Sequence, residues 1–246
     1  MLKYSKPKMI IFDYGHTLVY EDKWDGTRGM EVVLKHAVSN KSGATAEQLA
    51  ALSNNLFGVT TQMARKHGVE AHEHKVQNLL YEYMQVKIDL SPDKIEKIYW
   101  DNAAPAHAMP HIGEVLDYLR LVGIRTAVIS NISFSGAALR QRIDSVLPGN
   151  SFEFAVASSE YVVRKPNKMI FELALRKAGL DAADAWYCGD SVDYDIIGAH
   201  SVGIFPVWYE SEIECWYRER GGQIKPDYDH LHIRDWRELI EALQKL

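Results

Sequence analysis

Three apolar runs in this chain each end on a polar side chain of a chemically useful kind. They are MIIF before Asp13, TAVI before Ser130 and AWYC before Gly189-Asp190. A short apolar run that stops at a charge or a turn reads as a buried strand. In an open parallel α/β sheet, ligands gather outside the carboxyl ends of the strands, where the strand order reverses. A fold that sets these runs side by side brings residues 13, 130 and 190 into one crevice, although they span most of the sequence. Lys165, within VVRKPNKMIF, and Asp195, five residues beyond Asp190, are candidates to join them.

The rest of the chain supports such a sheet. Residues 112–122 predict an amphipathic helix stopped by Gly123, 124–130 a strand and 135–146 a helix. They are followed by a short strand at 153–158 and a helix at 167–178 ending at Gly179. Then come a strand at 185–189, a helix near 193–201, a strand at 203–208 and a closing helix at 234–245. Alternating strands and helices imply a parallel sheet with right-handed crossovers. The block between the first strand and residue 104 differs. Residues 25–39, 46–67, 72–88 and 93–103 have helical spacing, with start signals at Asp25, Thr45 and Ser91-Pro92-Asp93 and breaks at Gly68 and Ser91-Pro92. It predicts a helical insertion, with pivots near 18–24 and 104–111.

Composition sets outer limits. The chain has 246 residues, enough for one large domain or two smaller ones with a shared core. A net charge of −5 leaves no electrostatic footprint for nucleic acid. An anionic substrate would need local cations or a metal to hold it. The two cysteines, Cys188 and Cys215, are too few and too far apart for a disulfide framework or a zinc cluster. Cys188 reads as a buried, inert thiol. The run before Asp13 is too short for a secretory core, and no stretch is long and apolar enough to span a bilayer. The expectation is a cytoplasmic monomer or homodimer with no nucleic-acid or membrane partner.

The strand-end residues carry a consistent chemistry. A carboxylate such as Asp13, in a turn rich in backbone N–H groups, can act as a covalent nucleophile; alone, it could equally cap the turn. Magnesium takes oxygen ligands, commonly one or two carboxylates plus substrate phosphate. Asp13 and Asp190, with Asp195 in or near reach and the backbone carbonyl of Gly15, would suit it. Ser130 and Asn131 could hold phosphoryl oxygens. Pro166 biases Lys165 toward an extended conformation that aims its ammonium into the crevice. Arg164 is expected to point to solvent.

Together these motifs resemble the haloacid dehalogenase-like hydrolase superfamily, in the subgroup with a helical cap inserted after the first motif. Asp13 and Thr17 match the ends of its first motif, Ser130 its second and Lys165 its third. Gly189-Asp190-Ser191 with Asp195 matches its fourth. KPNKMIFELALRKAGL and CGDSVDYDIIGAHSVGI match family patterns nearly throughout. The resemblance implies an α/β fold, a Rossmann-like three-layer parallel-sheet core with an inserted all-helical cap. Residues 1–18 and 108–246 would form the core and 19–107 the cap. It implies Mg2+, an Asp13 phosphoryl-enzyme, Lys165 positioning Asp13 and phosphate, Ser130 binding the phosphoryl group, and Thr17 orienting the loop. The expected activity is a phosphatase acting on a small phosphorylated metabolite.

One departure matters. Phosphatases of this kind usually carry a second Asp two residues after the nucleophile, as acid/base for the leaving oxygen; here that position is Gly15. His16 is the first candidate substitute, since an unperturbed imidazole titrates near neutrality. Without that Asp, a haloacid dehalogenase and a non-catalytic binding protein stay open as alternatives.

Other features read more plainly. His67, His72 and His74 suit a solvated helix surface, because positions i and i+2 do not share a face. Tyr81, Tyr83, Tyr99 and Trp100 suit a core within the insertion, and Trp208, Tyr209, Trp216 and Tyr217 suit packing. His107 and His111 flank the return to the core.

Overall fold

The computed structural model describes residues 5–216 and 223–246. The chain enters as β1 (Met9–Phe12) and β2 (Val19–Glu21). An insertion follows with α1 (Gly26–Leu34), β3 (Ala37–Asn40), α2 (Ala46–His67), α3 (Glu73–Tyr83), β4 (Val86–Ile88) and α4 (Pro92–Ala103). The chain returns through β5 (Ala106–Ala108), α5 (Ile112–Leu121), β6 (Arg125–Ser130), α6 (Gly136–Val146) and β7 (Phe152–Ala157). It closes with α7 (Lys168–Ala178), β8 (Ala185–Gly189), α8 (Ile197–His200), β9 (Phe205–Tyr209), β10 (Leu231–Ile233) and α9 (Trp236–Gln244).

Six strands form one parallel sheet in the order β10-β9-β8-β1-β6-β7. β1 lies in the middle because all four of its side chains are apolar and fully buried. Strands buried on both faces need helices on both sides. Ile10 and Phe12 face a layer with Val115, Leu119, Leu139, Ile143, Trp236 and Leu239 from α5, α6 and α9. Met9 and Ile11 face Ile170, Phe171, Ala174 and Ala199 from α7 and α8. The result is a three-layer α/β core.

The helical starts are where the sequence puts them, but the helices expected over 25–39 and 72–88 stop at Leu34 and Tyr83, and their last residues enter strands β3 and β4. Thr45 and Gln48 form a reciprocal capping box at the start of α2, and Gly68 ends that helix at φ +66°. Asp25 caps α1 by accepting from the Arg28 N–H. Four helices span the insertion, as expected, but it also holds a short antiparallel ribbon of β3 and β4. β2 and β5 pair antiparallel where the chain leaves and rejoins the core. These strands have three or four residues each and leave half their faces to solvent, too little pattern for a sequence reading to catch. Tyr81, Tyr99 and Trp100 are buried as expected, whereas Tyr83 is exposed. Trp208 and Tyr209 are buried; Tyr217 lies outside the described residues. No helix among the described residues is long and apolar enough to cross a membrane.

His67 is exposed, as expected, but His72 and His74 are not part of a solvated face. His72 caps α3, and His74 bonds Glu96 at 3.0 Å. Glu96 is fully buried and also accepts from the backbone N–H and the hydroxyl of Ser135, which fixes α4 to the start of α6. Glu73 is buried in the same region, and burial, aided by the charge of Glu96, pushes its carboxyl up to about 7. The folded protein keeps a proton there that the unfolded chain releases above about 4.5. The stability this group contributes is complete below about 4.5 and is lost as pH rises through about 7, a loss on the order of 3 kcal/mol. Glu73→Gln is therefore expected to be more stable than the parent in urea denaturation at pH 8, with the gain fading by pH 5. An equal difference at both pH values would contradict it.

Candidate active site

Sheet register delivers the expected side chains to one place. Phe12 pairs with Val128 on β6 and with Cys188 on β8, so Asp13 emerges between the ends of those strands. Its N–H donates to the Cys188 carbonyl at 2.8 Å. The loop then turns back on itself: His16 N–H donates to Val19 O, and Leu18 and Val19 N–H both donate to Tyr14 O. His16 takes φ +55° within this turn and is buried. Thr17 is buried, and its hydroxyl lies 3.4 Å from Asp13 Oδ2. The indole of Trp236 donates to Thr17 O at 3.1 Å, tying the loop to α9.

Lys165 crosses to meet it. Its Nζ lies 2.5 Å from Asp13 Oδ1, 2.6 Å from Asp195 Oδ1, 2.9 Å from the Tyr187 hydroxyl and 3.3 Å from Ile129 O. The residue is 2 % exposed. Burial works against its charge, but the two carboxylates outweigh burial and hold its pKa above the usual lysine value. Burial raises Asp195 to about 6, with Lys165 pulling it down and Asp13 pushing it up.

Asp195 reaches this position through an irregular turn. The Ile196 N–H donates to Ser191 O, five residues back, in a π-helical turn over Val192–Ile196. That widened turn folds the Asp195 side chain back over the strand end, where Oδ2 accepts from the Ser191 N–H at 3.0 Å. Gly189 makes room for it. A methyl group on residue 189 would lie under 3.0 Å from the Asp195 side chain.

Asp13, Asp190 and Asp195 are all buried, and each offers an oxygen within 4.8 Å of the others. An all-oxygen carboxylate set is the donor chemistry of a hard divalent cation. Both oxygens of Asp195 already accept hydrogen bonds, and Lys165 and the Thr17 hydroxyl face the two oxygens of Asp13. Gly15 lies in the loop beside them and can offer only its backbone. Ser130 is buried at the end of β6.

Two side chains near the site are held by partners remote in sequence. Asn131 is turned toward the backbone of Lys165: its amide donates to Lys165 O at 3.0 Å and accepts from Lys165 N–H at 2.7 Å. Its side-chain amide thus steadies the lysine. Arg164 does not point to solvent; it pairs with Glu70 of the insertion at 3.2 Å, and both side chains are largely buried. His107 stacks on Tyr20 and bonds Asp22 at the β2–β5 crossing, and His111 bonds Glu114.

Tyr187 is the residue that sequence reasoning missed. Its hydroxyl touches Lys165 Nζ and lies 3.2 Å from Asp195 Oδ1 and 3.3 Å from Ile129 O. A tyrosine inside an apolar strand is the available signal, because a buried phenol normally has a polar partner. Cys188 is fully buried, and burial pushes its thiol well up, so it is inert.

Two variants test this geometry. Gly189→Ala is expected to cost about 1–3 kcal/mol in urea denaturation, since the overpacked side chain must displace Asp195. Tyr187→Phe is expected to cost about 1 kcal/mol for the lost hydroxyl contacts. A Gly189→Ala protein as stable as the parent would contradict the described packing.

The comparisons with known proteins agree with this architecture. A model of haloacid dehalogenase-like hydrolases matches residues 7–203. The glyceraldehyde 3-phosphate phosphatase of Pyrococcus abyssi is 28% identical over 214 residues, covering 82% of this chain and 81% of its own. The pyrimidine 5'-nucleotidase of Escherichia coli is 25% identical over 242 residues, covering 94% and 96%. A crystal structure of a 2-haloacid dehalogenase from Pseudomonas syringae superimposes with a TM-score of 0.61 at 21% identity, over 97% of this chain and 99% of that one. That likeness concerns the fold alone. With the family match spanning most of the sequence and its motif positions meeting at the ends of β1, β6 and β8, this chain belongs to the haloacid dehalogenase-like hydrolases.

Proposed function

We propose that this hydrolase is a magnesium-dependent phosphatase of a small phosphorylated metabolite, working through an Asp13 phosphoryl-enzyme. The observation that carries the reading is Lys165 Nζ between Asp13 Oδ1 and Asp195 Oδ1, with Asp190 in the same buried acidic group. The two named relatives with broad coverage, a sugar-phosphate phosphatase and a nucleotidase, point the same way. In this reading residues 19–107 form a cap over a core of residues 1–18 and 108–246.

An Asp13 carboxylate oxygen attacks phosphorus. The bond from phosphorus to the ester oxygen breaks, and that oxygen leaves with the electron pair and takes up a proton. Water then attacks the phosphoryl group, the bond from phosphorus to Asp13 breaks, and inorganic phosphate leaves with the carboxylate restored. Lys165 holds Asp13 in place and sets a positive charge against the phosphoryl oxygens. Ser130 and Thr17 supply hydroxyl donors at the strand end and in the loop. Magnesium held by Asp13, Asp190 and the Gly15 carbonyl, with Asp195 beside them, would neutralise charge on those oxygens. Gly15 has no acid to offer the leaving oxygen, and His16 is the candidate donor.

A haloacid dehalogenase is the competing reading, favoured by Gly15. Its chemistry has no use for three clustered carboxylates, which is why phosphate transfer is preferred.

The expected result is hydrolysis of p-nitrophenyl phosphate with magnesium, falling to the no-enzyme rate with EDTA or in Asp13→Asn. Chloride release from a 2-haloacid without metal would overturn the reading in favour of the dehalogenase. No turnover of any phosphate ester would favour a non-catalytic protein. With His16 as proton donor, His16→Gln slows alkyl phosphates by about 10²-fold or more and aryl phosphates far less, because a phenolate leaves without help.

A further inference from the structure

The insertion grips the core at a point next to Lys165 that the reaction itself does not use. After Gly68 the chain runs beside the segment leading to Lys165, and Val69 and Val163 form an antiparallel bridge. Glu70 N–H donates to Val162 O at 2.5 Å, and Arg164 N–H donates to Gly68 O at 3.2 Å. The Glu70 carboxylate completes the contact. Its Oε2 accepts from the Ser158 hydroxyl at 2.9 Å and pairs with the Arg164 guanidinium at 3.2 Å.

Two further facts give this contact direction. Val162 sits at φ +65°, a conformation that a β-branched residue rarely adopts and that persists only where the surroundings enforce it. The bond from Glu70 ends on the carbonyl of that residue, and the bond to Gly68 starts two residues later. In addition, the Ser158 hydroxyl that Glu70 contacts accepts from the Ile132 N–H at 2.9 Å. Ile132 follows Asn131, whose amide holds both backbone groups of Lys165. A single carboxylate on the insertion is therefore linked to both runs that fix the lysine, through the Arg164 side chain beside it and through the Ser158 hydroxyl to Ile132.

We propose that Glu70 is a positioning residue for Lys165: seating of the insertion on the core, through Glu70, Ser158 and Arg164, sets Nζ on Asp13. The inference rests on the phosphatase reading for its effect on turnover, but its structural half stands apart from it. Seating the insertion and completing the reactive geometry become one event, so a substrate that draws the cap down is met by a finished site.

The test compares the parent with Glu70→Gln, checked for folding by thermal melt. With p-nitrophenyl phosphate and magnesium, kcat is expected to fall roughly 3- to 30-fold with KM within about twofold, the signature of an interaction that serves the reaction and not binding. Arg164→Gln should show the same loss, and the double variant no further loss. Hydrogen exchange at the amides of Val163, Arg164 and Lys165 should quicken in Glu70→Gln whether or not the parent hydrolyses phosphate esters. If Glu70→Gln does not fold, Ser158→Ala is held to the same readouts. An unchanged kcat in an active enzyme, fully additive losses, or unaltered exchange at those amides would overturn the proposal. A parent without magnesium-dependent turnover would overturn the phosphatase reading, and the exchange measurement would still decide the role of Glu70.

Discussion

An ammonium group with almost no access to water organises the centre of this molecule. Lys165 keeps its charge against burial because two carboxylates face it, and a phenol and a carbonyl complete its surroundings. Those partners come from four separate parts of the chain: the loop after β1, the end of β6, the middle of β8 and the turn after β8. Each is in place only if the sheet has its observed order. Deleting one partner of a buried ion pair typically costs about 3–5 kcal/mol, because the charge left behind has nowhere to go. The cluster thus constrains the strand order alongside the apolar layers, and it sets two carboxylate oxygens and a cation at the strand ends.

The supporting features serve that arrangement. The missing side chain at Gly189 admits Asp195, and the π-turn after it turns the carboxylate back to the strand end. Trp236 braces the loop of Asp13 from the opposite layer through Thr17 O. Asn131 clasps the backbone of Lys165, and Glu70 reaches the same segment from the insertion. The insertion is also joined at its base. Arg142, buried in α6, pairs with Glu21 and Asp101, bonds Tyr14 and the Ala104 carbonyl, and lies over the Trp100 ring. Tyr14 adjoins Asp13, so the base of the insertion and the acidic cluster share a backbone.

Much of this was legible in the sequence because the governing signals are local. β1, β6 and β8 are short apolar runs, and the residues at their ends announced a crevice. Capping signals at Asp25 and Thr45 and the stop at Gly68 marked helices correctly. What escaped has a common cause, which is that the deciding partner is remote in sequence. Tyr187 looks like one more core aromatic until register brings it under Lys165. Arg164 looks like a surface cation until Glu70 arrives from the insertion. The side chain of Asn131 has no evident task until the Lys165 backbone meets it. The paired strands β2 and β5, and β3 and β4, were invisible because three or four half-exposed residues carry no periodicity.

The claim at the centre is that Asp13 carries the phosphoryl group beside a cation bound by the acids of the strand ends. The most direct measurement is a crystal structure of the protein with magnesium and beryllium trifluoride, which mimics a phosphoryl group on a carboxylate. The account predicts beryllium bonded to an Asp13 oxygen, magnesium on Asp13 and Asp190, and Lys165 still in contact with Asp13. A bare Asp13 carboxylate, with the fluoride complex and the metal bound elsewhere, would contradict it.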